Sequence, residues 1–491
     1  MSARPTPGAT EFGATDLAGA DVLVLGAGVS GPGAVRMLDR LGAHVTVADA
    51  RPAALDALRE ALPAGVGVRT AEPSAVDPST VDLVVTSPGW RPDSPPLRAA
   101  ADAGVPVWGD VELAFRCDAA ELFGPRRTWL AVTGTNGKTT TTAMLEAVLL
   151  EAGLAARACG NIGLPITEVL LAEPRVDVLA AELSSFQLHW APSCVPDVGV
   201  VLNIAEDHLD WHGSLEAYAA AKARVLDGPV AVAGADDPVA ARLLDGCRAD
   251  RRVGFRLTEP ADGELGVVGG PGGGVLVDRA FGGPGETRDL MTVDEVRPAG
   301  PAGVLDALAA AAVALAAGAR PEHVGAALRD FTVGAHRAAL VDTVADVRFV
   351  DDSKATNPHA ARTSLLAGGP VVWIAGGLLK GADVDPLVAE VAGRLRGVVL
   401  LGRDRARIAG ALARHAPSVP VVDLPSGDDG TAAAPDEPQR TMDRAVTEAA
   451  RMARAGDTVL LAPSAASMDM FTDYGHRGRS FAEAVERWAG R

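Results

Sequence analysis

The chain has 491 residues and carries 63 acidic against 45 basic side chains, a formal net charge of −18. That length exceeds one ordinary domain of roughly 100–200 residues, so two to four are expected, and the acidic balance argues against a nucleic-acid binder, which presents a basic face. Hydrophobic residues at 48% and charged ones at 22% exclude wholesale disorder. Nineteen aromatic residues are few, so the cores must be built from Val, Leu and Ala. Four of the basic residues are lysines: Lys138, Lys222, Lys354 and Lys380. Lysine is a compact charge and a reactive amine, which arginine is not, so each is a candidate for chemistry. Cys117, Cys159, Cys194 and Cys247 are far apart in sequence, which points to neither zinc nor a disulfide framework. The first 20 residues lack the pattern of a signal peptide, and the longest apolar run, Ala307 to Ala317, is too short to span a bilayer. A soluble, cytoplasmic protein without membrane or nucleic-acid partners is expected.

In chain order, a polar lead ends near Asp16. An apolar run, Val22–Leu25, is followed by Gly26-Ala27-Gly28-Val29-Ser30-Gly31, a helical pattern to Leu41 and a second strand, Val45–Val47, that stops at Asp49. This is a β-α-β unit. Its glycines fit G-x-G-x-x-G, with Asp49 18 residues after Gly31. Such glycines let the backbone approach a pyrophosphate at a helix N-terminus. The residues alone leave open a nucleotide diphosphate site or a tight strand-helix turn, and they do not specify NAD. Leu83–Val85 then runs into Thr86-Ser87-Pro88-Gly89, and Gly124-Pro125-Arg126-Arg127 reads as a linker.

A new strand, Trp129–Val132, leads into Gly134-Thr135-Asn136-Gly137-Lys138-Thr139 and a helix to about Ala152. Backbone N–H groups there can surround a phosphate, Lys138 can reach its oxygens and the Thr139 hydroxyl can hold Mg²⁺. Val132 stands where the full phosphate-loop pattern has its first glycine. Further strands, Val178–Ala181 and Val198–Leu202, end at Glu182 and Asn203, and Glu206-Asp207-His208 follows the second of them. That cluster suits a metal or a polar turn equally. Lys222, in a helical stretch, reads by itself as a solvated lysine. Gly263–Gly285 reads as exposed hairpins or loop.

In the third part, Val347–Val350 ends in Asp351-Asp352-Ser353-Lys354, and Val371–Ala375 ends in Gly376-Gly377-Leu378-Leu379-Lys380. Val398–Leu401 and Val459–Ala462 are two more buried strands, the latter followed by Ser464 and Ser467. Asp428–Glu437 reads as an acidic surface insertion. Polar clusters repeatedly follow apolar strands, and open α/β sheets bind ligands outside the carboxyl ends of their strands. Three α/β layers are therefore expected, over residues 1–126, 127–333 and 334–491.

Gly134–Thr139, Gly160-Asn161-Ile162-Gly163, Glu182-Leu183-Ser184-Ser185-Phe186-Gln187, Glu206-Asp207-His208 and Asp352-Ser353-Lys354-Ala355-Thr356-Asn357 together resemble the Mur ligases. The resemblance covers essentially the whole chain in the family's order. It is nearest to the branch that adds D-glutamate to UDP-N-acetylmuramoyl-L-alanine in peptidoglycan precursor synthesis. It implies an N-terminal Rossmann-like domain for UDP, a central phosphate-loop ATPase domain and a C-terminal Rossmann-like domain for the amino acid. The substrate carboxylate would attack the γ-phosphate of ATP, and the amine of D-glutamate would attack the acyl phosphate.

By this likeness Val29, Ser30, Asp49, Arg51 and Gly89 contact the UDP substrate, and Asn161 contacts both that substrate and ATP. The remaining ATP contacts are Gly134, Thr135, Asn136, Gly137, Lys138, Thr139, Thr140, Asp306, Arg337, Asp352 and Lys354. Two Mg²⁺ ions are implied, one on Thr139 and Glu182, the other on Glu182, His208 and a Lys222 carbamylated by CO₂. Lys138, Glu182, His208 and Lys222 are the implied catalytic set. Thr356, Lys380, Ser467 and Tyr474 match the D-glutamate pocket, and a monomer is expected. One departure stands out. The family usually has His-Asn-x-x-Asn reaching the adenine, whereas Ala302-Gly303-Val304-Leu305-Asp306 occupies that place here. An ionised Asp accepts hydrogen bonds but cannot donate them. Another amino-acid substrate, or a scaffold that binds nucleotide without turnover, are the competing expectations.

Overall fold

A computed structural model describes residues 12–269, 273–332, 334–425 and 436–490. The start of the polar lead and most of the acidic insertion, residues 428–435, lie outside these.

Three sheets carry the chain. The first contains β1 (Asp21–Leu25), β2 (His44–Ala48), β3 (Val68–Ala71), β4 (Leu83–Thr86) and β5 (Val107–Gly109), in the order β3-β2-β1-β4-β5 and parallel throughout. Strands β1 and β4 are buried almost end to end, as continuous apolar runs in a parallel sheet should be. The strand order reverses between β1 and β4, which opens a crevice at their carboxyl ends.

The second sheet contains β6 (Thr128–Thr133), β7 (Ala156–Gly160), β8 (Val178–Glu182), β9 (Val198–Val201), β10 (Val230–Gly234), β11 (Arg251–Phe255), β12 (Glu264–Val268), β13 (Val275–Asp278) and β14 (Arg288–Thr292). Their order is β14-β13-β12-β11-β10-β9-β6-β8-β7. The Gly263–Gly285 region, expected as exposed hairpins or loop, contains the antiparallel pair β12–β13, joined to this sheet rather than exposed. Leu265, Leu276 and Val277 are buried. Helix Pro301–Ala316 packs against helix Lys138–Glu151, with Ala307 to Ala314 wholly buried. A run of Ala and Leu buried on every side is an interior helix, for which small side chains permit close approach. The expected linker is also firmer than anticipated. Arg127 is buried against Asp118 at 2.7 Å, and Asp118 also accepts from the Trp129 indole at 2.9 Å.

The third sheet contains β15 (Ala339–Val344), β16 (Val347–Asp351), β17 (Val371–Ala375), β18 (Leu395–Leu400), β19 (Val421–Asp423) and β20 (Thr458–Leu461). Its order is β15-β16-β20-β17-β18-β19, and β15 alone runs antiparallel. Alternate residues feed two cores: Val350 and Trp373 on one face, Phe349, Val372 and Ile374 on the other. The buried Trp373 indole is satisfied by the Ala462 carbonyl at 2.7 Å. By internal contacts the described residues up to Ile204 group with Ala219–Phe331, and Ala205–Tyr218 groups with Thr332 onward. Among the described residues no helix is long and apolar enough to cross a membrane.

Candidate active site

The crevice outside β1 and β4 is a cavity of about 600 Å³, lined by Val29, Ser30, Asp49, Arg51, Gly89 and Asn161 together with Ser94, Asp110 and Gln187 among others. The six residues assigned to the UDP substrate by resemblance thus share one space. Asp49 accepts from the amides of Ala27 and Arg51 at 2.9 Å and from the Arg51 guanidinium at 3.1 Å. Burial by itself would raise its pKa. The Arg51 side chain and the two amides reverse that and hold it at about 2. Asp49 is therefore a fixed anion that ties the glycine turn to the end of β2.

The loop Gly134–Gly137 joins β6 to helix Lys138–Glu151. Gly137 has φ +86°, and a Cβ there would lie 2.3 Å from Asp306 Oδ1, so any other residue would strain the backbone and push Asp306 aside. Asn203 clamps the loop from the end of β9. Its Oδ1 accepts from the Asn136 amide at 2.9 Å, its Nδ2 donates to the Asn136 carbonyl at 3.1 Å, and its own carbonyl takes the Thr135 amide at 2.9 Å. Lys138 Nζ donates to the carbonyls of Gly134 and Thr135 at 2.9 and 2.8 Å. Thr139 and Thr140 follow in the first helical turn.

Lys222 is no solvated lysine. It is 2% exposed, and its Nζ donates to the same Gly134 carbonyl at 2.8 Å and to Thr133 Oγ1 at 3.3 Å. Helical pattern could not reveal this, because the surrounding alanines are uninformative about which face is buried. Glu182 is fully buried at the end of β8. One of its oxygens accepts from Asn161 Nδ2 at 2.8 Å, and the other, Oε2, has no partner. Asp306, buried in the first turns of its helix, accepts from Thr141 Oγ1 at 3.1 Å. It is thus engaged with the phosphate-loop helix.

Among the described residues no group of three or more His, Cys, Asp or Glu side chains is placed to hold a metal. Mg²⁺ is held differently, by one or two carboxylates, hydroxyls, phosphate oxygens and water. The unpartnered Glu182 oxygen fits that donor set.

In the other unit, the carboxyl ends of neighbouring strands β16, β20 and β17 present the remaining candidates. Asp352 accepts from the Ala338 amide at 3.1 Å and from the Ser364 hydroxyl, and burial pushes its pKa up to about 6. Arg337 stands between two left-handed residues, His336 and Ala338, and its charge acts on Asp352. The Lys354 ammonium lies 3.9 Å from the centre of the Tyr474 ring, a cation–π contact. Thr356 closes a tight turn onto the Lys354 carbonyl at 2.8 Å. Reciprocal 2.9 Å hydrogen bonds between Leu378 and Ala466 join the loop bearing Lys380 to the loop bearing Ser467. Lys380, at φ +52°, pairs with Asp207 at 3.0 Å, and Asp207 also accepts from the amide of His208 at 2.9 Å.

Three supporting residues carried no clear sequence signal. Asn203 looked like a strand end. His336 bonds Asp351 at 2.6 Å beside Arg337. Arg477 is wholly buried and donates to Ser353 and Ala465. Burial pushes its pKa down to about 10. In so arginine-rich a chain nothing local separates it from a surface residue.

A Rossmann-ordered layer, a phosphate-loop layer with two lysines on one carbonyl, and a third α/β layer with polar strand ends define the class: a three-domain, nucleotide-using ligase architecture. Comparison with known proteins agrees. The Mur ligase middle domain matches residues 132–261, the Mur ligase glutamate ligase domain residues 336–465, and the alanine dehydrogenase/PNT C-terminal domain residues 4–91. The UDP-N-acetylmuramoylalanine–D-glutamate ligase of Nocardia farcinica is 58% identical over 96% of this chain and 97% of its own. Two solved structures share the fold at 18% identity, each over 96% of this chain. A pseudomurein peptide ligase type C from Methanothermus fervidus gives a TM-score of 0.60 over 100% of its chain. A UDP-N-acetylmuramate–alanine ligase from Thermotoga maritima gives 0.58 over 99%. The chain belongs to the Mur ligase family, in the branch of UDP-N-acetylmuramoylalanine–D-glutamate ligases.

Proposed function

We infer that the chain adds D-glutamate to UDP-N-acetylmuramoyl-L-alanine at the expense of ATP, in the cytoplasmic synthesis of peptidoglycan precursors. The observation that carries the reading is the convergence of Lys138 and Lys222 on the Gly134 carbonyl of the phosphate loop. In the reaction a carboxylate oxygen of the substrate attacks the γ-phosphorus of ATP and ADP leaves. The amine of D-glutamate then attacks the resulting acyl phosphate, loses a proton and expels phosphate.

Bringing a carboxylate to a triphosphate opposes like charges, so the site must supply positive charge where negative charge gathers. Lys138 would do this, and the amides of the loop and helix N-terminus would add to it. Bound Mg²⁺ would supply further neutralisation, with Thr139, Glu182, His208 and Lys222 the residues that would hold two ions. Carbamylation by CO₂ would make Lys222 an anion able to serve in that set. It would also remove the repulsion between two ammonium groups on one acceptor. The cavity at β1 and β4 would hold the UDP end, with Asp49 and Arg51 fixed beside it. Arg337, Asp352 and Lys354 would meet ATP. Lys380, with Thr356, Ser467 and Tyr474, would hold D-glutamate, its present partner Asp207 marking a place where a carboxylate is accepted. His208, next to Asp207, would lie by the incoming amine. The domains would run over 1–126, 127–333 and 334–491, and the protein would act as a monomer.

A coupled phosphate-release assay tests this. Purified protein should release phosphate only with ATP, Mg²⁺, UDP-N-acetylmuramoyl-L-alanine and D-glutamate together. No release, or better turnover with L-alanine or diaminopimelate, would refute it.

A further inference from the structure

Two buried polar atoms without a partner line the same cavity: Asp110 Oδ1 and Ser94 Oγ. Neither residue belongs to the set that resembles the family's UDP contacts. Asp110 is 5% exposed and opens helix Asp110–Ala119 directly after β5. The turn that carries it cannot move freely. The Gly109 amide donates to the Trp190 carbonyl at 2.7 Å, and a Cβ on Gly109 would lie 2.8 Å from that of Trp190. Ser94 precedes helix Pro95–Asp102 without capping it, so its hydroxyl is also uncommitted.

An orphaned buried carboxylate oxygen is costly, so a native protein seldom carries one without a purpose. Burial pushes the Asp110 pKa up to about 6, with the amides of Val111 and Asp110 and the Gln187 side chain opposing the shift. Those donors leave Asp110 Oδ1 without a partner of its own.

Position along the sheet indicates what it faces. Asp49 follows β2 and Asp110 follows β5, three strand intervals apart in the order β2-β1-β4-β5. At about 4.8 Å per interval that is roughly 14 Å. Asp49 already spends its lone pairs on Ala27 and Arg51, whereas Asp110 lines the same cavity beside the Gln187 side chain. In the UDP substrate proposed above, the nucleoside and the N-acylated sugar lie on opposite sides of a diphosphate, so a molecule with its nucleoside beside Asp49 would carry its sugar toward Asp110.

We propose that Asp110, supported by Ser94, reads the glycosyl-peptide half of the UDP substrate. In this role Asp110 Oδ1 accepts a hydrogen bond from an amide N–H or hydroxyl of the N-acylated sugar. The proposal rests on the substrate reading above and adds residues that discriminate the full substrate from UDP.

Isothermal titration of the full chain with UDP and, separately, with UDP-N-acetylmuramoyl-L-alanine tests it. Asp110→Asn keeps the size but presents an NH₂ group in place of lone pairs. It should weaken the full substrate about tenfold or more and leave UDP within about twofold, since about 1.4 kcal/mol corresponds to tenfold. In steady state the KM for the UDP substrate should rise in proportion, with the KM for D-glutamate unchanged. Ser94→Ala should act in the same direction more weakly, which guards against a folding defect in the first variant. Equal loss of UDP and full-substrate binding, or no loss of either, would overturn the proposal. Wild-type protein that bound neither ligand would overturn the substrate reading itself, and this proposal with it.

Discussion

Replacing Lys222 by Ala isolates the charge logic of the phosphate loop. The two lysine nitrogens lie 2.9 and 2.8 Å from one oxygen, the Gly134 carbonyl. They are thus at most about 5.7 Å apart, where two unit positive charges at an effective dielectric constant near 20 repel by about 3 kcal/mol. Carbamylation of Lys222, proposed above, would turn that repulsion into an attraction of similar size and add two oxygens able to bind a cation. Lys222→Ala removes the group, and the expected loss in kcat is about 10²–10³-fold, the range for deleting one preorganised electrostatic contributor. Binding of the UDP substrate should not change, because Lys222 does not line the cavity that holds Asp49 and Arg51. The assay is phosphate release in CO₂-depleted buffer with and without added bicarbonate. Wild-type turnover should fall on depletion and recover with bicarbonate, and the variant should respond to neither. Bicarbonate-independent wild-type turnover, or a variant retaining more than about a tenth of the activity, would refute the reasoning. So would a parallel loss of UDP-substrate binding, which would indicate a folding defect.

Asp118→Ala should destabilise the first unit by about 3–5 kcal/mol in denaturant titration, because it strands the buried Arg127 and the Trp129 indole together. A Trp129 fluorescence transition at unchanged denaturant concentration would count against this. Lys380→Ala should raise the KM for D-glutamate about 10–100-fold with little change in that for ATP, the expected loss for one charge-assisted pair. An unchanged KM would remove Lys380 from the pocket. Cys117 and Cys159 are pushed up to about 12 by burial and Cys194 is raised as well, so alkylation at pH 8 should modify Cys247 first and the other three only after unfolding. Mass spectrometry of the labelled peptides decides. Asp49, depressed from 3.8 to about 2, contributes stability present above about pH 4 and lost as pH falls through 2. Arg51 is 70% exposed and its share is screened, so Arg51→Ala should remove only about 1 kcal/mol of it. Carboxyl NMR titration of Asp49 in the variant should show its pKa moving upward, and no movement would refute the pairing.

Much of the architecture was legible because its signals are local. A parallel strand is a short apolar run, and a glycine cluster directly after one marks a turn that can approach a phosphate. Val22–Leu25 before Gly26–Gly31 and Trp129–Val132 before Gly134–Thr139 carry both signals side by side. In Gly263–Gly285 the glycines suggested a hairpin, but not the burial of Leu265, Leu276 and Val277, which depends on what packs against β12 and β13. Arg127 was misread for a related reason. A Gly-Pro-Arg-Arg string looks like a linker until Asp118, nine residues earlier, is seen to fold back onto it.

The same division runs through the site and returns to the charge. The sequence by itself determined the kinds of groups available: a phosphate loop with its lysine, a glycine turn with a following aspartate, and four lysines in a chain otherwise served by arginine. Only the tertiary structure decided what those groups face. It buried Lys222 on the Gly134 carbonyl, fastened the loop with Asn203, engaged Asp306 with Thr141, and left Glu182, Asp110 and Ser94 each with an unpartnered atom. The reason is physical. A side chain's partners come from strands adjacent in the sheet but remote in the chain, and an acid or a lysine looks the same in sequence whether water or a buried oxygen meets it.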